Sequence, residues 1–289
     1  MKQASLIRFI ILGAIWGASF SFTRVVAPAV GAFWTSESRL FIGAAVLFLY
    51  ITLLKIPHNL HHWKHYLVAG VLNCAVPFTM FSVAGKIIPA AYSATLNSSV
   101  PLWATIFGAV LLGDKITPTR VLALIIGVVG VIFVARPSAD VDMTWAFLGG
   151  VGACLLAAAC YALNTVYVKK YAAGVNSKSM ATFSQAFGAL LLLPLALASG
   201  IPDTISPTVL LSALALGALC SGVAFLLFYQ LIDEIGPVMT SGVTFLIPVF
   251  GVLFSAYLLQ EQLAWTVFAG CALIICAAFL LFRSNVSKS

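Results

Sequence analysis

Charge is what this chain has least of. Only 8% of its 289 residues are Asp, Glu, Lys or Arg, where a soluble domain carries about 25%. That excludes a water-soluble enzyme or binding domain of ordinary composition. Paired cysteines are missing as well. The six cysteines, at 74, 154, 160, 220, 271 and 276, stand singly in apolar runs with no CxxC spacing. They read as buried small hydrophobes rather than as redox or zinc ligands. No GxxxxGK[ST] sequence occurs, and no polar stretch could house a nucleotide-binding domain, which argues against an ATP-driven motor. Short alternating apolar–polar segments, the signature of a membrane β-barrel, are absent too.

What remains is 62% apolar. A membrane helix needs roughly 20 mainly apolar residues, and runs of that kind cover 6–27, 34–54, 66–85, 88–112, 117–135, 145–167, 178–199, 207–232, 236–259 and 264–283. The fold class expected is all-α integral membrane, with ten transmembrane helices. The opening "MKQASLIRFIILGAIWGAS" has the layout of a signal peptide, but its apolar run continues past any small-residue cleavage site. It is expected to stay as the first helix.

The net charge of +7 follows topology rather than nucleic acid. With a cytoplasmic N-terminus, one face carries Lys2, Arg8, Lys55, Lys64, Lys115, Arg120, Lys169, Lys170, Lys178, Arg283 and Lys288. The other carries only Arg24, Arg39, Lys86 and Arg136. By the positive-inside rule both termini are cytoplasmic. The cluster "HNLHHWKH" (His58, His61, His62, His65) is then expected in a short interfacial loop anchored by Trp63, with a metal site through His61 and His65, four apart, as the less favoured alternative.

The chain also repeats itself. "PLWATIFGAVLLGDKITPTR" from 101 lies over "PVFGVLFSAYLLQEQLAWTV" from 248 without a gap, placing Pro101 on Pro248 and Asp114 on Glu261. Upstream, "WGASFSFTR" (16–24) lies over "YALNTVYVK" (161–169), placing Arg24 on Lys169. Two halves, 1–137 and 138–289, each with an odd number of helices, must sit inverted relative to one another. Inverted halves are the architecture of many secondary transporters.

The tryptophan-glycine of "AIWGASFSFTR", the arginine of "SESRLFIGAAVL", and "NSSVPLWATIFGAVLLGDKIT" with its echo "TFLIPVFGVLFSAYLLQEQL" resemble the drug/metabolite transporter superfamily, in particular its EamA-type members. The resemblance runs through both halves. It implies a ten-helix carrier of the cell inner membrane, many such proteins being exporters of amino acids and other small metabolites. Tyr161 and Asn164 stand where the first half has Trp16 and Ser19, so a strictly symmetrical site is not expected.

In lipid a polar side chain needs a partner or a water-filled cavity. The candidates for substrate contact are the amides Asn73, Asn97, Asn164 and Gln185, with Trp16, Ser19, Phe20, Tyr92, Tyr161, Tyr229, Ser241 and Thr244 around them. Interhelical hydrogen bonding is the competing role for each. Pro101 and Pro248, and Pro77 beside Thr79, each remove a backbone donor and open a turn, giving candidate kinks for gating. Glu37 and Arg39 are expected at the outer end of the second span, close enough to pair with each other or with Lys86 as outer-gate charges. No acid is expected deep in a span, which favours movement down a solute gradient over proton coupling, with Glu37 as the alternative coupling group.

The expected partners are a small-molecule substrate and membrane lipid, with no cofactor, no metal and no nucleic acid. An oligomer is not required, since ten helices can form a path in one chain. A lipid or lipid-linked-sugar translocase of the same architecture is the second reading, and an integral membrane enzyme the third.

Overall fold

The computed structural model describes residues 3–56, 60–136, 144–202 and 204–286. Lys2, His58 and Lys288 lie outside the described residues. The described residues are helical with no strand: α1 (Gln3–Leu53), α2 (Leu60–Ile87), α3 (Ala90–Leu112), α4 (Pro118–Val134), α5 (Trp145–Tyr171), α6 (Ser177–Ala198), α7 (Pro207–Gly236), α8 (Met239–Leu258) and α9 (Trp265–Val286). Helix is the form that satisfies every backbone polar group within one apolar segment. Starts are marked locally. Thr117, Thr144, Asn176 and Ser206 each accept a hydrogen bond from a backbone N–H of the first turn that follows.

Eight of these helices are long and apolar enough to cross a membrane, while α4, at 17 residues, is shorter. The outward-facing positions agree: Phe41, Val110, Leu190, Leu211 and Phe268 are all exposed large hydrophobics, which water would not tolerate in such number.

The runs 6–27 and 34–54, expected to be separate, form one 51-residue stretch broken only at Gly31, with φ 82 and ψ 164. A side chain cannot easily adopt that geometry, so one glycine does the work of a loop. Contacts show that α1 doubles back there. Arg8 near its start bonds Glu234 of α7, whose neighbour Asp233 pairs with Lys178 of α6. Phe48 near its end packs on Phe183 of that same α6. Both ends of α1 therefore lie at one end of the bundle, here end A, and Gly31 lies at the other, end B. Gly236 repeats the geometry (φ 82, ψ 160) at end A, between α7 and α8.

Irregular turns recur inside the spans. The α-helix of α3 stops at Asn97, passes through Ser98 and Ser99, and resumes at Val100, just before Pro101. In α8 a 3₁₀ turn over Gly242–Phe245 precedes Pro248. In α2 a π-helical stretch, Gly70–Ala75, precedes Pro77. A second π-helical stretch, Ala215–Val223, lies in α7. Widened turns of this kind concentrate at functional sites.

Candidate functional site

The π-helical stretch of α7 carries Ser221, and Ser221 organises the interior. Its hydroxyl accepts from Arg39 Nε at 2.8 Å, and its carbonyl accepts from Gln185 Nε2 at 3.0 Å. Arg39 comes from the second arm of α1, Gln185 from α6, so three helices meet on one serine. Gly43, one turn beyond Arg39, makes the approach feasible. A Cβ there would collide with Gln185 Oε1 and come within 2.8 Å of Ser221 Cβ. The guanidinium also lies over the Phe78 ring, 3.9 Å from its centroid, and Tyr161, Cys74 and Cys220 surround it.

This corrects the expectation that Arg39 pairs with Glu37 or Lys86. Residues two apart on a helix point to different sides. Among the described residues no carboxylate forms an ion pair with Arg39. Lys86 is exposed near the end of α2. Glu37 is buried, at 5% exposure, and its Oε2 has no hydrogen-bond partner. Glu37 lies six residues past the Gly31 break, near that end of the second arm, but is buried there rather than open to water.

Aromatic rings flank the first arm of α1. Trp16 meets Phe228 at 5.4 Å and Phe225 at 6.1 Å, and Phe228 packs on Tyr229. One turn along, Phe20 meets Phe81 edge-on at 5.2 Å, and Phe81 stacks on Tyr161 at 6.1 Å. The structure thus links Trp16 to Tyr229 through Phe228, Phe20 to Tyr161 through Phe81, and Gln185 to Arg39 through Ser221.

The other candidates are placed differently. Asn97 and Asn164 each keep an amide oxygen that is buried and unpartnered, while Asn73 lies in the π-helical stretch of α2. The hydroxyls of Ser98 and Ser99 turn back onto their own helix, leaving the Asn97 amide as the free group of that interruption. Ser19 donates to Trp16 O, and Thr244 to Ser241 O, so both hydroxyls are engaged locally. Ser241 is exposed. Tyr92 is fully buried against Phe147, with its hydroxyl 3.4 Å from Arg136 O. Phe78, Ser221, Phe225 and Phe228 were not among the candidates, because apolar rings and a lone serine in an apolar run carry no sequence signal.

The two ends are held by ion pairs. At end B, Arg24 Nε lies 3.7 Å from Glu261 Oε1, which also accepts from Ala90 N at 3.0 Å, and Ser255 Oγ donates to the same carboxylate. Arg24 further donates to Gly85 O. At end A, Lys169 Nζ lies 3.9 Å from Asp114 Oδ2, and Lys170 donates to Leu111 O. Here too Ser5 and Arg8 both donate to Glu234, and His65 bonds the Tyr167 hydroxyl.

The model of the EamA-like transporter family matches twice, over residues 4–136 and 148–283. The uncharacterized transporter YvbV of Bacillus subtilis is 25% identical, the match covering 100% of this chain and 94% of YvbV. Protein PecM of Dickeya dadantii is 26% identical over 93% of this chain and 90% of its own. The threonine/homoserine exporter RhtA of Escherichia coli is 32% identical over a shorter stretch, 28% of each chain. A solved crystal structure shares the fold, with a TM-score of 0.64 at 20% identity, covering 97% of this chain and 96% of that one.

Proposed function

The chain belongs to the EamA-like transporter family, and from that premise we propose that it is a secondary transporter, an exporter or facilitator, of amino acids or similar small metabolites across the inner membrane. The proposed path runs between two inverted halves that alternate in access. The ten crossings of this reading count the two arms of α1 separately and include the short α4. Both termini are cytoplasmic, with end A as the cytoplasmic face, where Arg8, Lys169, Lys170 and Lys178 gather.

One observation carries the reading. Arg24 and Glu261 pair at end B, Lys169 and Asp114 at end A, and these are the same two positions of the repeat. In each case a cation at the close of a half's first crossing meets the acid that follows the other half's kinked helix. A protein that closes one side while opening the other needs such equivalent contacts at both. RhtA, by its name an exporter of threonine and homoserine, supports amino acids as the first solutes to try.

The test is counterflow into proteoliposomes of the purified protein, preloaded with unlabelled amino acids, with labelled L-threonine, L-homoserine and then the other amino acids outside. Saturable accumulation is expected. Folded protein that moves none of them, nor any other small metabolite, but scrambles a fluorescent phospholipid, would overturn the reading.

A further inference from the structure

We propose that Arg39 is the binding point for a single carboxylate on the transported solute, an inference that rests on the transporter reading above. Arg39 stands eight residues beyond Gly31, about 12 Å along a helix, deep among its neighbours yet partly accessible. An arginine is always charged, and a charge inside the membrane region is costly unless compensated. What compensates this one is weak: one serine hydroxyl on Nε and one aromatic face. Neither occupies the paired terminal N–H groups that match a carboxylate in a two-point fork.

The surroundings support an anionic ligand rather than a resident counter-charge. The nearest acid in sequence, Glu37, points elsewhere on the helix. Among the described residues neither a carboxylate nor a second cation pairs with Arg39. One uncompensated positive charge fits a solute carrying one negative charge. A phosphate monoester, nearly doubly charged, would leave negative charge unbalanced in the same low-dielectric setting. Position is fixed independently of any ligand. Gln185 holds the Ser221 carbonyl, and Ser221 then holds Nε, leaving the fork side of the guanidinium to the solute.

The experiment uses the same proteoliposomes with competitors in place of further labels. Each L-amino acid is compared with its amide, which keeps the amine and the side chain but loses the carboxylate, and with a phosphate monoester, methyl phosphate. The expected result is competition by the free acids, at least about 30-fold weaker competition by the amides, and none by methyl phosphate. Arg39→Gln is expected to raise the half-saturating concentration of the free acid by a similar factor, and Arg39→Lys to restore it in part. Wild-type selectivity needs no variant to fold, and the variants count only where their melting and monodispersity match wild type. Amides that compete as well as acids, or a folded Arg39→Gln with unchanged half-saturation, would overturn the carboxylate site and leave the transporter standing. Uptake of no small solute by wild type would instead overturn the transporter reading.

Discussion

Arg24 lies 3.7 Å from Glu261, and the glutamate side chain is only 12% exposed. The corresponding contact at the far end, Lys169 to Asp114, is 3.9 Å long with side chains 66% and 39% exposed. The two pairs are equivalent in the repeat but unequal in setting, so the structure has one end drawn tight and the other loosely tied.

That inequality predicts unequal costs. Glu261→Gln weakens the bonds to Arg24, Ala90 and Ser255 together, and is expected to destabilise the protein by about 1–3 kcal/mol. Asp114→Asn removes an exposed pair, worth about 0–1 kcal/mol after solvent screening. Thermal melting of the two variants in detergent checks the order. Equal shifts would refute it.

Gly43→Ala places a methyl group against Gln185 and Ser221. Overpacking at such a contact costs roughly 1–3 kcal/mol. Because Ser221 also holds Arg39, uptake is expected to fall more steeply than stability. Melting temperature and initial uptake rate, measured on one preparation, would reveal whether the two part company.

Pro101→Ala and Pro248→Ala restore a backbone donor two and three residues after the irregular segments that precede them. Straightening the helices is expected to preserve or raise the melting temperature while slowing transport several-fold, since the interruption is then a source of movement rather than of stability. A variant that melts earlier yet transports normally would assign the prolines to packing alone.

Glu37 is buried with an oxygen that has no partner, and an unpaired acid in a membrane span is a proton-handling candidate by default. An imposed pH gradient is expected to change the uptake rate of wild type and to leave Glu37→Gln unaffected. If both respond alike, coupling through Glu37 is excluded and transport follows the solute gradient alone.

Much of the architecture was legible in the sequence because lipid imposes a simple rule on composition. The long apolar runs, the prolines that interrupt them, and the placement of Asp114 and Glu261 at opposite ends all follow from residue type and spacing. What was not legible depends on partners far along the chain. Arg39 and Ser221 are 182 positions apart, and nothing near either one announces the other. The π-helical stretches at Gly70–Ala75 and Ala215–Val223 were missed for the same reason, since no residue pattern marks a widened turn. The supposed pairing of Glu37 with Arg39 failed on geometry already available, the angle between helical positions two apart.

Gly31 joins the two arms of α1 through a single residue, with nothing within 4 Å of where its side chain would be. Its requirement is for a torsion angle, not for room, and it leaves no slack in the connection. The second arm is then a lever with its fulcrum at end B and Arg39 about 12 Å from it. A tilt of about 10° would carry the guanidinium roughly 2 Å, enough to make or break a hydrogen bond. Gly236, with nearly the same torsions at end A, gives α7 and α8 a matching fulcrum on the opposite side. Ser221, which bonds Arg39, lies on the element that ends at that second bend, so the two partners of this bond hang from glycine bends at opposite ends of the protein.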